Sequence, residues 1–182
     1  MARGRIVVTG LVVVLVAGGV TAAVVGSVRG AAPEGEAPAV PQAGAGSAVV
    51  TLSADAAVHP RAATVLTQMQ RYFDAINAGD YASWQATVTP DRAAAQTEDA
   101  WRKAYRSTKD GTIRIDRIDD AVAPAAAGGL LVRVGFVSTQ AVADAPPDTQ
   151  AERICWHATL PWGGSPLGVG ATRSGSSVSE VC

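Results

Sequence analysis

The sequence predicts an α+β domain, three helices followed by a curved antiparallel sheet of about four strands, preceded by one transmembrane helix. Three observations lead there. Ile6 to Val28 is a run of 23 residues without a charge. From Val65 to Ile76 apolar residues recur at three- and four-residue steps, the period of a helix with one buried face. After Thr112 the period changes to two, the period of strands. Helices first and a strand meander afterwards place the helices on one face of an antiparallel sheet.

At about 1.5 Å per helical residue the uncharged run spans a hydrocarbon core of roughly 30 Å. Arg3 and Arg5 precede it and Arg29 follows, so the positive-inside bias keeps the N-terminus cytoplasmic and places the rest of the chain outside. Residues 1–29 are thus an anchor or, with Val24 and Gly26 forming a small-residue cleavage site before Ser27, a signal segment and a secreted product. No Cys follows the run to accept a lipid. Residues 30–57 hold Pro, Gly and Ala with no aromatic residue, too little apolar bulk for a core, and read as a disordered tether; Val49, Val50 and Leu52 offer a short strand as the alternative.

The domain then occupies residues 58–182. Pro60 opens the first helix, whose apolar face is Val65, Met69, Tyr72, Phe73 and Ile76, and Asn77, Ala78 and Gly79 stop it. Asp80 caps a short second helix with Tyr81, Trp84 and Val88, ended by Pro90. Thr97 starts the third, with Glu98 and Asp99 at its positive end and Trp101, Ala104 and Tyr105 along it, broken by Lys109, Asp110 and Gly111. Thr112 to Ile118 is the first strand, with Ile113 and Ile115 on one face. Leu130 to Val142 is the second, with Val132, Val134 and Phe136 alternating. The turn Ala145 to Asp148 leads to the third, Arg153 to Leu160, which puts Ile154, Trp156, Ala158 and Leu160 on one side and Cys155, His157 and Thr159 on the other. Leu167 to Cys182, rich in Gly and Ser, reads as an irregular edge strand.

Composition excludes one class of partner. With 15 basic and 16 acidic residues the net charge is -1, so the chain offers no electrostatic footprint for nucleic acid. Thirteen of the basic residues are Arg, a bias of GC-rich coding sequences.

The run Gln70, Arg71, Tyr72, Phe73, Asp74, Ala75, Ile76, Asn77, Ala78, Gly79, Asp80, Tyr81 resembles the first helix and turn of the nuclear transport factor 2-like superfamily of cone-shaped α+β domains. Ala104 to Thr108, Gly135 to Gln140, and Cys155-Trp156 with Cys182 resemble uncharacterised secreted or membrane-anchored actinobacterial members. The likeness extends over about Val58 to Cys182. It implies helices wrapped on a curved sheet around a pocket or a partner surface, and it implies no reaction.

Ketosteroid isomerase belongs to the same superfamily and uses a Tyr and a protonated Asp beside an Asp base. Tyr72 stands where that family's helix-one Tyr stands. The segment after Pro90, where the base belongs, reads Asp91, Arg92, Ala93, Ala94, Ala95, Gln96, with no carboxylate in a matching motif, and the protonated acid would fall near Cys155, Trp156 or His157. The expectation is therefore a non-catalytic binding or interaction module without a metal or organic cofactor. Its partners are the membrane, through the N-terminal helix, and an envelope protein or an apolar small molecule. The competing class is an enzyme of the isomerase or cyclase type. A buried Asp or Glu facing Tyr72 inside a cavity would mark the enzyme; an apolar or Trp-filled cavity would mark the module.

Tyr72, Trp84, Trp101, Tyr105 and Trp156 are the candidate pocket residues, although core packing accounts for Trp84, Trp101, Trp156 and Trp162 equally well. His157 has neither a second His nor an adjacent carboxylate, His59 reads as solvated, and no Gly-x-Ser-x-Gly or Gly-rich phosphate loop is present. The charges Arg114, Asp116, Arg117, Asp119 and Asp120 read as a solvated strand face. Cys155 and Cys182, the two Cys of the chain, are expected to form a structural disulfide, because both lie in the exported domain and tie down a Gly-rich segment.

Overall fold

A computed structural model describes residues 44–121, 128–173 and 175–182. The anchor expected over residues 1–29 and the first part of the tether lie outside the described residues. Among the described residues no helix is long and apolar enough to cross a membrane.

The element order is β1 (Thr51–Leu52), α1 (Ala54–Ala57), α2 (Ala62–Ala78), α3 (Tyr81–Gln85), α4 (Pro90–Ala95), α5 (Glu98–Tyr105), β2 (Lys109–Asp120), β3 (Leu130–Thr139), β4 (Arg153–Gly163), β5 (Gly168–Val169) and β6 (Ser177–Val181). A 3-10 turn at Val142–Asp144 leads from β3 toward β4. The α+β class is as expected, with two corrections. Among the described residues there are five α-helices where three were expected in the domain, and the sheet is mixed and six-stranded rather than antiparallel and four-stranded.

The first correction begins in the segment read as a disordered tether. Residues 44–57 belong to the fold: β1 runs parallel to β2, pairing Thr51 with Arg114 and Leu52 with Ile115, and Val50 and Ala56 are buried. The Val50 N–H is taken by the Gln70 side chain of α2 (2.8 Å). Ser53 caps α1 by accepting from Ala56 N–H. The other additional helix starts at Pro90. This proline does end the turn after α3, but its fixed φ and missing N–H suit the first position of a new helix, and α4 starts on it behind the N-cap Thr89.

α2 follows its periodicity: Val65, Met69, Tyr72, Phe73 and Ile76 are buried, and Gly79 closes it at φ 67°, a left-handed position that costs glycine little. Asn77 lies inside α2 and does not stop it. Thr97 caps α5 and Asp80 caps α3 through their side-chain oxygens. Trp84 and Trp101 are fully buried between α3 and α5, with ring centroids 5.8 Å apart and Tyr81 against both.

Lys109, Asp110 and Gly111 do not form a break. They begin β2, which pairs antiparallel with β3 from Lys109↔Thr139 to Asp120↔Leu130. Two irregularities interrupt that ladder, between Gly111 and Arg114 and between Ile115 and Arg117, each with one extra residue on β2. Thr112, at φ 50°, sits in the first bulge. β4 pairs with β3 along its length, and its far edge takes β6 at Ile154–Ala158 and β5 at Trp162–Gly163. The Gly- and Ser-rich segment is therefore an edge in two pieces. Cys155 on β4 is bonded to Cys182 just after β6, the expected disulfide, with Cα atoms 5.2 Å apart.

Candidate functional site

The inward face of the sheet carries Val132, Val134, Phe136 and Ser138 on β3 and Ile154, Trp156, Ala158 and Leu160 on β4, as period two requires. The end of that face that carries Val132 and Val134 is closed core. At the other end, Phe136, Ser138 and Trp156 face Tyr72, Phe73 and Ile76 of α2 across a cavity of about 320 Å³. Arg92 of α4, Tyr105 of α5 and Asp110 of β2 also line it, and Thr172 and Ser177 line it from the segment leading into β6. Phe136 and Trp156, cross-strand neighbours, stack with centroids 6.0 Å apart and planes 10° apart.

Three of the expected pocket residues, Tyr72, Tyr105 and Trp156, line this cavity. The other two are corrected: Trp84 and Trp101 are absent from its wall, because the α3–α5 contact consumes their apolar surface. Tyr72 packs edge-on against Phe73, at 5.3 Å and 85°. Arg92 adds what the sequence did not suggest. Its guanidinium lies over the rings of Tyr72 (5.3 Å) and Trp84 (5.8 Å), and it donates from Nη2 to the Tyr72 hydroxyl (2.9 Å) and from Nη1 to the Gly170 carbonyl (3.2 Å). Gly170 is brought there because β5 bonds back to the α3–α4 connection through Val169 N–H to Thr87 O and Thr89 N–H to Val169 O. Gly168 makes the approach feasible, since a Cβ there would stand 2.9 Å from the Val88 carbonyl carbon.

Asp110 is a second cavity residue that the sequence does not single out. It is 5% exposed, and its carboxylate accepts from the Ser138 hydroxyl, itself 4% exposed, on the paired position of β3. On its other edge, where β1 does not reach, Asn77 of α2 replaces a strand: its amide donates to Asp110 O (2.9 Å) and accepts from Asp110 N–H (2.7 Å). Burial pushes the carboxyl up to about 6, and the Ser138 bond counters it only in part. Tyr105 is held well above the usual phenol range, first by the adjacent Tyr72 hydroxyl and then by burial, with Asp110 adding to the effect and Arg92 opposing it. Tyr72 and Tyr105 thus stand between a cation and a carboxyl on one wall. Asp144, also on the wall, is neutralised by Arg106 and Ser107, whose hydrogen bonds hold it below the usual carboxylate range.

Elsewhere the expectations need one adjustment. His157 is exposed, and the charges of β2 pair along the strand, Arg114 with Asp116 and Arg117 with Asp119. His59 is not solvated: it is half-buried, with Nε2 3.7 Å from an Asp120 oxygen. Among the described residues no group of three His, Cys, Asp or Glu side chains could hold a metal ion.

The cavity therefore combines a feature set out for an enzyme, the buried carboxyl of Asp110 on a wall shared with Tyr72, with the apolar lining set out for a module, Phe73, Ile76, Phe136, Trp156 and Leu160. No family model matches the chain, and no curated protein or solved structure is significantly similar to it.

Proposed function

We propose that this domain binds a small molecule in the cavity between α2, α4, α5 and the sheet. The observation that carries the reading is Asp110. Leaving a carboxyl buried at a wall shared with Tyr72, Tyr105 and Arg92 costs folding free energy that an apolar side chain would not, and such costs are retained where a ligand uses the group. A volume of about 320 Å³ lies at the lower end of ligand pockets, roughly 300–1,000 Å³. The test is native mass spectrometry and a thermal-shift screen of the purified domain. Retained mass, or a ligand-dependent rise in Tm abolished by filling the cavity with Ala158→Leu, is expected; a screen in which Ala158→Leu and wild type respond alike would refute it.

A second reading, catalysis of the isomerase or cyclase type, is favoured by one specific feature: a carboxyl near 6 beside a pair of phenols can take a proton next to a carbonyl that the phenols polarise. Its test is exchange of α-hydrogens of a cyclic ketone in D2O, followed by NMR. Exchange that persists undiminished in Asp110→Asn would remove it.

The chain's resemblance to nuclear transport factor 2-like domains supports a cavity-based role. The uncharged run at residues 6–28 and the Cys155–Cys182 bond, which suits an oxidising compartment, support a placement outside the cytoplasmic membrane on an N-terminal anchor. Reporter fusions after Cys182 active only in the cytoplasm would overturn that placement.

A further inference from the structure

We propose that the cavity's ligand is an amphipathic carboxylate, its acid group held by Arg92 and the Tyr72–Tyr105 hydroxyls and its apolar body lying on Phe136 and Trp156. The inference rests on the small-molecule reading and adds the ligand's charge. Among the described residues no acid forms an ion pair with Arg92. Arg102 and Arg106 at α5 and Arg117 on β2 each have one. Among the described residues two neutral oxygens accept from the five N–H groups of Arg92, the Tyr72 hydroxyl and Gly170 O. Two rings and two hydrogen bonds fix the guanidinium's plane before any ligand arrives, so little side-chain entropy is lost on engaging an anion. A planar guanidinium matches a carboxylate fork, and the remaining wall, Phe73, Ile76, Phe136, Trp156 and Leu160, matches a ring or branched hydrocarbon.

Asp110 then sets a pH signature. The groups facing it are Tyr72 from α2, Arg92 from α4, Tyr105 from α5 and Ser138 from β3, with Asp144 beyond β3 already paired to Arg106. Ionised, it repels a bound carboxylate; protonated, it becomes a donor to one. Affinity for the anion therefore rises as pH falls from 8 to 5, a range in which a carboxylate ligand with an ordinary value of about 4.3 stays ionised.

Three probes of one shape separate the outcomes: 2-naphthoate, 2-naphthamide and 2-naphthylmethylamine, titrated by calorimetry into wild type, Arg92→Gln and Asp110→Asn. The expected result is that naphthoate binds most tightly, that Arg92→Gln weakens it about ten- to hundredfold, the worth of a charge-assisted bond, and that naphthamide, whose carbonyl makes only a neutral bond there, is weakened by less than about tenfold. Asp110→Asn is expected to flatten the pH dependence of naphthoate binding. Naphthamide binding as tightly as naphthoate, the amine binding tightest, or naphthoate indifferent to Arg92→Gln would each overturn the carboxylate assignment while leaving the small-molecule reading standing. Failure of all three probes at both pH values, with no other compound in the screen bound, would remove both.

Discussion

Asp110→Asn should stabilise the protein at neutral pH and leave it unchanged in acid. The carboxyl's value is about 6 in the folded state against 3.8 for the free side chain. A raised value means the folded state holds the proton more tightly, so between these two limits the native state binds more protons than the unfolded one and stability falls as pH rises. The difference of about 2.2 units, at 1.36 kcal/mol each, makes ionised Asp110 cost about 3 kcal/mol above pH 6, and nothing below about pH 4. Asparagine keeps an acceptor for Ser138 and never ionises. Urea unfolding of both proteins from pH 3.5 to 8, taken as a difference so that every other titration cancels, should give a gap near zero in acid that opens to about 3 kcal/mol by pH 7. A gap that stays flat, or that favours the wild type at pH 7, would refute the claim that burial dominates Asp110. The sign matters for function as well, because a stabilising loss of a buried carboxylate is the usual mark of a group kept for what it binds.

Cys182→Ser should cost up to about 3.5 kcal/mol by the loop-entropy argument for a bridge between positions 27 apart, and reductant should lower the wild-type midpoint to match; a midpoint insensitive to dithiothreitol would contradict it. Tyr72→Phe should cost about 1 to 2 kcal/mol by removing the acceptor of Arg92 Nη2, read by thermal unfolding, and a larger cost would mean that the hydroxyl supports more than this bond. Gly111→Ala would set a Cβ 2.6 Å from Gly46 O and 2.7 Å from Ala45 O, backbone atoms that must move, so a loss of about 1 to 3 kcal/mol is expected, with faster exchange of the Thr112 N–H that bonds Ser47 O; unchanged exchange would show that residues 44–47 are not docked there.

How far the fold and the site were legible turns on where the chain keeps a single period. α2 keeps one for 17 residues, and its buried face and C-terminal end follow from Val65, Met69, Phe73 and Gly79, while its start lies at Ala62 behind Arg61 and not at Pro60. β3 and β4 keep theirs as well. β2 does not. Simple alternation through Ile113 and Ile115 places Gly111 inside and Asp110 outside, on the side of Arg114. The extra residue between Gly111 and Arg114 reverses that parity, so the inward set becomes Asp110, Ile113 and Ile115, and the second extra residue adds Ile118. A glycine opening a strand is the available signal for such a bulge, and Gly111 was instead read as part of a stop. Pro90 was misjudged by similar logic, as an end when it is also a beginning.

The site itself was less legible than the fold for a reason of distance. Its polar members are single residues from separate stretches of chain: Tyr72 and Asn77 on α2, Arg92 on α4, Tyr105 on α5, Asp110 on β2 and Ser138 on β3. None has a local motif, and each looks ordinary among its neighbours. Arg92 reads as the basic residue of a short alanine helix until the bonds to Tyr72, 20 positions away, and Gly170, 78 positions away, are known. Asp110 reads as a turn residue until Asn77, 33 positions away, takes both its backbone groups and Ser138 takes its carboxylate. Both lie where a local pattern breaks, Arg92 on the unexpected helix and Asp110 before the bulge. Departures from periodicity cost stability, so a fold that places its one buried carboxyl and its one unpaired cavity cation, among the described residues, at two such departures has given up regular packing at the place where a ligand can use it.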